Sequence, residues 1–189
     1  MLVKTSAKDV TRWQRNWRSG FRRRSPSPQI SAERLKSKYP KSAPVIVIAD
    51  DNLSDEEILF LHLESDCFVS LARTEGWGLG AFEAARLAKP IIMTGYGGQL
   101  DYLNPQLSHL IDYELVPVHE PIWSANYRSS DLWAEPSMDQ AVHFMKEIFN
   151  NPDQALDRAN QQAKEVRTKF SKQVVMLDLL RVLDSIDEI

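Results

Sequence analysis

Two glutamates that flank a glycine-rich segment are the side chains best placed for chemistry in this sequence. Glu75 and Glu83 are eight residues apart, and six of the seven glycines of the chain fall between Gly76 and Gly98. Glycine permits positive φ and close approach of another group, so this cluster indicates tight turns or a ligand lying on the main chain. A carboxylate there can accept hydrogen bonds from the hydroxyl groups of a sugar or a ribose. The alternative is that Glu75 favours a helix N-terminus electrostatically and Glu83 is a solvated surface residue.

The elements around the two acids place them at the start of a helix. Residues 67–71 form a short apolar run that is typical of a strand, and residues 79–88 are rich in alanine and free of proline, which favours a helix. The order is therefore strand, glycine-bearing loop and helix. This order aims unpaired backbone N–H groups and the positive end of a helix dipole at one spot, where phosphate binds well.

The motif extends beyond the pair of acids. Residues 76–78 read Gly-Trp-Gly, residues 90–94 read Pro-Ile-Ile-Met-Thr, and a Gly-Gly pair follows at positions 97 and 98. With this Glu-x7-Glu spacing, the segment resembles the signature of retaining glycosyltransferases of the GT-B fold, above all the group 1 or family 4 set. The resemblance covers residues 44–150, including residues 53–70 before the motif and the Trp-Ala-Glu-Pro of residues 133–136.

The resemblance implies both a fold and an activity. The fold is an α/β Rossmann-like parallel sheet flanked by helices, the C-terminal half of a GT-B glycosyltransferase, and alternating strand and helix patterns favour the same layered class. The activity is retaining, metal-independent transfer of a sugar from a nucleotide-diphosphate sugar to an unknown acceptor. This chain would supply the donor-binding domain, and it would use no cofactor besides the donor substrate.

The resemblance also implies a role for each residue of the motif. As the catalytic pair, Glu75 would contact hydroxyls of the donated hexose and Glu83 would hold the ribose hydroxyls. Backbone N–H groups at the helix start would cradle the diphosphate. The predicted donor-binding residues are Gly76, Trp77, Gly78, Leu79, Gly80, Thr94, Gly97 and Gly98. Trp77 has a second role open to it, which is to fill the space between helix and strand.

One part of the family pattern is missing from this sequence. The family usually takes its phosphate-binding arginine and lysine from a loop upstream of the first strand found here. Lys4 and Arg73 are the candidates for phosphate contacts in this chain. We therefore expect a truncated chain that begins inside the nucleotide-binding domain. Its expected partner, besides the nucleotide sugar, is a separate N-terminal half that binds the acceptor.

Charge is distributed unevenly along the chain, whose net charge is −3. Residues 1–41 hold 12 Lys and Arg but 2 acids, whereas the remaining residues hold 11 Lys and Arg and 24 acids. Trp13, Trp17 and Phe21 are four residues apart, which predicts an amphipathic helix that packs its aromatic face on the sheet. The alternative is a basic surface that binds anionic lipid or nucleic acid. Of these two ligands, nucleic acid is the less expected.

The composition of the chain excludes several classes of protein. The single cysteine cannot form an internal disulfide, no apolar stretch is long enough to span a membrane, and no signal peptide or metal-ligand spacing is evident. We expect a cytoplasmic protein, with peripheral membrane contact as an alternative. The predicted parts are a partial strand and basic helical lead-in at 1–43, a nucleotide-sugar-binding core at 44–150 and C-terminal helices at 151–189. Rival functions are an inactive remnant or subunit that only binds sugar nucleotide, and a membrane- or nucleic-acid-binding protein.

Overall fold

The structure, a computed structural model, describes most of the chain after residue 52. The described residues are 2–4, 33–34, 36–38, 46–48, 53–118, 128 and 130–186. The predicted aromatic and basic helix of residues 8–24 lies outside them. The chain forms two compact units, Met1–Ile58 and Leu59–Ile189. The predicted boundaries after residues 43 and 150 stay predictions.

The first unit contains a parallel strand pair and the start of a helix. Strand β1 (Leu2–Lys4) pairs in parallel with β2 (Ile46–Ile48). Helix α1 (Asp55–Glu64) begins with a reciprocal capping box, a serine followed three residues later by a glutamate. The Glu57 backbone N–H donates to Ser54 Oγ at 3.2 Å, and the Ser54 N–H donates to Glu57 Oε2 at 2.8 Å.

The second unit is built on a parallel sheet in the order β3-β4-β5. Its strands are β3 (Phe68–Ser70), β4 (Ile91–Thr94) and β5 (His109–Ile111). Helix α2 (Leu79–Arg86) connects β3 to β4, as the sequence predicts. All four residues of β4 are buried, because a central parallel strand is covered on both faces. The expected Rossmann-like sheet flanked by helices is confirmed.

By its sequence pattern, residues 111–118 are expected to form one last strand, but the structure divides them between two sheets. The chain leaves the parallel sheet after β5, and β6 (Tyr113–Pro117) pairs antiparallel with β7 (Leu132–Pro136). The sequence around Trp133 predicts a loop before the next helix, whereas the structure has a strand there. A continuous apolar run does not show where the chain leaves one sheet and joins another, which explains the difference at β5 and β6. For β7 the reason is Pro136, which weakens a strand pattern because proline has no N–H to donate.

Helices cover both faces of the sheet. Successive residues of a strand point to opposite faces, so Ile91 and Met93 of β4 join one core cluster and Ile92 joins the other. The remaining helices are α3 (Met138–Asn150), α4 (Pro152–Lys169) and α5 (Lys172–Ile186). Helices α2 and α4 contribute to the first cluster, and α3 and the start of α4 contribute to the second. No described helix is long and apolar enough to cross a membrane.

Cys67 has a structural role in the core. Its side chain packs against the second core cluster beside Ile92. Burial, with a smaller effect of the Asp66 carboxylate, raises the pKa of the Cys67 thiol to about 12. The thiol is therefore protonated at neutral pH and is a poor nucleophile.

The buried His109 makes stability depend on pH. Its side chain is 7% exposed, and Nε2 lies 3.5 Å from Glu147 Oε1, close to Arg158 and His143. Burial lowers the pKa of the imidazole below its ordinary value of 6.5, although Glu147 opposes this. The unfolded state therefore binds a proton more readily. The contribution of His109 to stability is fully present above the unfolded pKa and is lost as pH falls from there through the folded pKa.

We expect wild type to lose more free energy of unfolding than His109→Gln between about pH 7.5 and about pH 5.5. Urea unfolding of both proteins at the two pH values measures this. The substituted glutamine can still donate from Nε2 toward Glu147, and both proteins contain the other histidines. The difference between them therefore reports the titration of His109. Equal pH dependence in the two proteins would contradict the prediction.

Candidate functional site

The two glycine loops meet at one edge of the parallel sheet. They follow β3 and β4, which are neighbours, so both lie at the carboxyl ends of parallel strands, the edge where ligands bind in open α/β sheets. The Gly98 N–H donates to the Glu75 carbonyl at 3.3 Å. A Cβ on Gly98 would overlap the Gly76 carbonyl oxygen, and one on Gly97 would overlap that of Glu75. The loops therefore touch main chain to main chain.

The first turn of α2 presents free backbone donors beside these loops. Gly78 precedes the helix with φ +77°, a left-handed conformation that glycine adopts without strain. The first helical hydrogen bond runs from Phe82 N–H to the Gly78 carbonyl at 2.9 Å. The N–H groups of residues 79–81 donate to no other described residue. The positive end of the helix is thus open to an anion.

Tyr102 fixes the turn that starts this helix. Its side chain is 5% exposed, and its hydroxyl donates to the Gly78 carbonyl at 2.8 Å. Burial, and then the negative charge of Glu75, raise the pKa of this hydroxyl well above its ordinary value. Tyr102 therefore remains protonated and keeps this hydrogen bond at neutral pH.

Trp77 packs into an aromatic cluster at the base of the motif. Its ring centroid lies 5.1 Å from that of Tyr102, 5.4 Å from Phe170 and 5.6 Å from Phe82. The side chain is half-buried against the first core cluster. This position matches the space-filling role that the sequence left open. Contact between Trp77 and a nucleotide or sugar stays a prediction.

The two acids lie on either side of the helix start. Glu75 Cγ is 3.4 Å from the position that a Cβ on Gly78 would take, close to the Tyr102 hydroxyl. Glu83 lies five residues after Gly78, about 7 Å along the helix axis. Its Oε2 is 3.5 Å from His62 Nε2, and its side chain is 42% exposed. The Glu83 carboxylate is therefore accessible to solvent.

A buried glutamine that the sequence analysis missed shapes the second loop. Gln99 Nε2 donates to the carbonyls of Thr94 and Tyr96, both at 2.7 Å. Thr94 is fully buried, and its Oγ1 has no hydrogen-bond partner among the described residues. Gln99 thus holds the turn that brings Gly97 and Gly98 to the first loop. A glutamine after a Gly-Gly pair gives no sequence signal for this role.

A second missed residue comes from a distant helix. Gln162 on α4 is 1% exposed, donates to the Tyr102 carbonyl at 2.8 Å and accepts from the Asn104 N–H at 2.8 Å. It therefore holds the segment that carries Tyr102. Gln162 and Tyr102 are 60 residues apart, so no local pattern connects them.

Of the two candidate phosphate contacts, Arg73 is committed to protein partners. Its Nε lies 2.5 Å from Glu135 Oε2, its Nη2 donates to Glu135 Oε1 at 3.1 Å, and its guanidinium lies 4.4 Å from the centroid of the Trp133 ring. These contacts give Trp133 and Glu135 a structural role. The side chain of Lys4 lies outside the described part of the structure. Phosphate contact by either residue stays a prediction.

An open cleft of about 430 Å³ lies beside the Arg73–Glu135 pair. Its lining includes Thr74, which precedes Glu75, and Met138 at the start of α3. Polar and apolar side chains contribute to its walls. The cleft lies along the segment that leads from β3 into the motif.

Comparison with known proteins identifies the family that the motif resembles. Residues 31–111, which include both glycine loops and both acids, match the sequence model of the family described as glycosyl transferases group 1. The resemblance is confirmed. No curated protein matches the sequence significantly.

A solved structure shares the fold of this group 1 glycosyltransferase-like chain. Sucrose-phosphate synthase from Thermosynechococcus elongatus is similar with a TM-score of 0.62 at 15% sequence identity. The similarity covers 99% of this chain and 38% of that chain. The chain therefore spans well under half the length of the synthase structure that it matches. At this identity the likeness establishes the GT-B type of fold.

Proposed function

We propose that this chain is the donor-binding part of a retaining, metal-independent glycosyltransferase that uses a nucleotide-diphosphate sugar. One observation carries the proposal, which is the meeting of the two glycine loops at the open N-terminus of α2. Along the chain, Glu75 precedes that point and Glu83 follows it. The match to the group 1 family over the same residues supports the assignment.

In the proposed mechanism the diphosphate lies at the start of α2. Free N–H groups of the first turn and the helix dipole would stabilise the negative charge that grows on the diphosphate as the sugar departs. They are already oriented, so little reorganisation accompanies the reaction. Among the described residues no group of three or more His, Cys, Asp or Glu side chains is placed to hold a metal ion. Metal independence is part of the proposal.

The two acids would recognise hydroxyl groups on the two halves of the donor. Glu75, next to the helix start, would accept hydrogen bonds from hydroxyls of the hexose. Glu83, further along the helix and more exposed, would accept from the ribose hydroxyls. Glu83 would exchange its contact with His62 for the ribose, or share the carboxylate between them.

The acceptor site would belong to another polypeptide segment. The chain spans 38% of the synthase structure that it resembles, and the proposal assigns no acceptor site to the described residues. We propose a separate N-terminal half as the partner that completes the enzyme. The binding-only subunit is the alternative, with the same donor site and no transfer. Cytoplasmic location and peripheral membrane contact stay predictions.

Isothermal titration of the full chain with UDP-glucose, GDP-mannose and the free nucleoside diphosphates tests the donor site. We expect saturable binding to one nucleotide series, with the sugar adding affinity over the free diphosphate. Absence of binding to all four compounds would contradict the proposal. Release of nucleoside diphosphate on addition of a sugar or lipid acceptor would then separate a transferase from a binding-only subunit.

A further inference from the structure

We propose that the ion pair between Arg73 and Glu135 positions Glu75 for recognition of the hexose. This inference rests on the proposed donor site and assigns Arg73 to positioning rather than to phosphate binding. Arg73 lies two residues before Glu75, and Glu135 lies on β7, a strand that is not part of the parallel sheet.

Three contacts attach the segment before the motif to β7. The Arg73 side chain binds both carboxylate oxygens of Glu135, at 2.5 and 3.1 Å. Its guanidinium also lies over the Trp133 ring at 4.4 Å. The Ala134 N–H donates to the Arg73 carbonyl at 3.0 Å. The planar fork of arginine makes such a two-point contact directional, so these contacts fix the orientation of Arg73 as well as its position.

Strand β7 is a firm support for these contacts. It pairs with β6 in continuous antiparallel register, from Tyr113 opposite Pro136 to Pro117 opposite Leu132. Trp133 is 9% exposed and Ala134 is fully buried. The strand leads directly into α3, whose N-cap Ser137 accepts a hydrogen bond from the Gln140 N–H. Glu135 is therefore held by structure on both sides.

Glu75 lies between this support and the second glycine loop. On one side the chain is attached to β7 through Arg73, and on the other side the Glu75 carbonyl accepts from the Gly98 N–H. One residue, Thr74, separates Arg73 from Glu75. Loss of the Arg73–Glu135 pair would loosen one of these two attachments, because the Arg73 side chain would be held less firmly while the Ala134 N–H bond to the Arg73 carbonyl remains. The carboxylate of Glu75 would then be less well placed for the hexose hydroxyls.

The exposure of the pair separates this positioning role from a role in stability. The side chains of Arg73 and Glu135 are 36% and 41% exposed. Solvent screens a pair that is this exposed, so its contribution to global stability is small. Glu135→Gln is therefore expected to stay folded while the Glu75 carboxylate shifts. The start of α2 is attached separately through Tyr102, so nucleotide binding is expected to be retained.

The test compares UDP and UDP-glucose affinities, or those of GDP and GDP-mannose if wild type prefers that series, by titration of the full chain. We expect Glu135→Gln to reduce the affinity gained from the hexose by about tenfold, the size of one lost hydrogen bond, and to leave diphosphate affinity unchanged. Arg73→Lys, which keeps the charge but loses the fork, is expected to act in the same direction. Asp178→Asn is the matched control, because it breaks another exposed arginine–carboxylate pair, the one with Arg181 on α5.

A double-mutant cycle with Glu75 decides whether the pair acts through that residue. In a Glu75→Ala background, Glu135→Gln is expected to cause no further loss. Three results would each overturn the inference. The first is a Glu135→Gln variant in which the hexose adds as much affinity over the free diphosphate as in wild type. The others are an equal loss of affinity for diphosphate and sugar nucleotide, and additive losses in the double-mutant cycle. If wild type binds diphosphate and sugar nucleotide with equal affinity, the positioning inference fails but the proposal of a nucleotide-binding site is retained. If wild type binds none of the compounds, the proposed function itself fails.

Discussion

Replacing Gly98 with alanine is expected to lower the free energy of unfolding by about 3 kcal/mol, at the upper end of the usual cost of overpacking. A Cβ at this position would overlap the carbonyl oxygen of Gly76, which is backbone and cannot rotate away like a side chain. The Gly76 loop is attached to β3 and α2, and Gly98 lies in the loop that follows β4. Relief of the overlap therefore requires the two loops to separate.

Gly76→Ala is the matched control for this prediction. A Cβ on Gly76 would have no heavy atom within 4 Å, and its φ is not in the positive range. We expect its free energy of unfolding to change by less than about 0.5 kcal/mol. Urea unfolding of both variants measures the difference. Equal stabilities would show that the two loops do not touch in solution. Sugar-nucleotide affinity is expected to fall in Gly98→Ala, because the loops form the proposed donor site.

Glu83→Ala is expected to weaken binding of the sugar nucleotide and of the free nucleoside diphosphate alike, by about ten- to a hundredfold. This corresponds to about 1.5–3 kcal/mol, the usual worth of hydrogen bonds to a charged group. The physical reason is the proposed contact between the Glu83 carboxylate and the ribose, which both compounds contain. Isothermal titration with the preferred nucleotide series measures the loss.

Stability is expected to change little in Glu83→Ala. The side chain is 42% exposed, and its described partner is His62 at 3.5 Å. Thermal unfolding checks this, and Glu165→Ala serves as the control for removal of an exposed helical carboxylate. Affinities equal to those of wild type would contradict the ribose role of Glu83. A loss confined to the sugar nucleotide would instead place Glu83 at the hexose.

The sequence predicted those parts of the fold whose cause is local. The apolar run at β4 indicated a strand covered on both faces, and the alanine-rich segment after Gly78 indicated α2. The capping box at Ser54 and the helical spacing in α3 were likewise visible in short windows. The spacing of Glu75, the glycines and Glu83 also carried the resemblance to the group 1 glycosyltransferases, which the comparison over residues 31–111 confirmed.

The sequence by itself therefore determined the α/β class, the order of strand, glycine loop and helix, and the candidate acids. Only the tertiary structure decided that Gly98 meets Gly76, that Arg73 is paired with Glu135 and that Gln162 holds the chain at Tyr102. The physical reason is separation along the chain. The parallel register of β3 and β4 brings the glycine loops together, and the β6–β7 pairing brings Glu135 to Arg73. Neither pairing leaves a local pattern, because a side chain's own neighbours in sequence do not specify its partner across the fold.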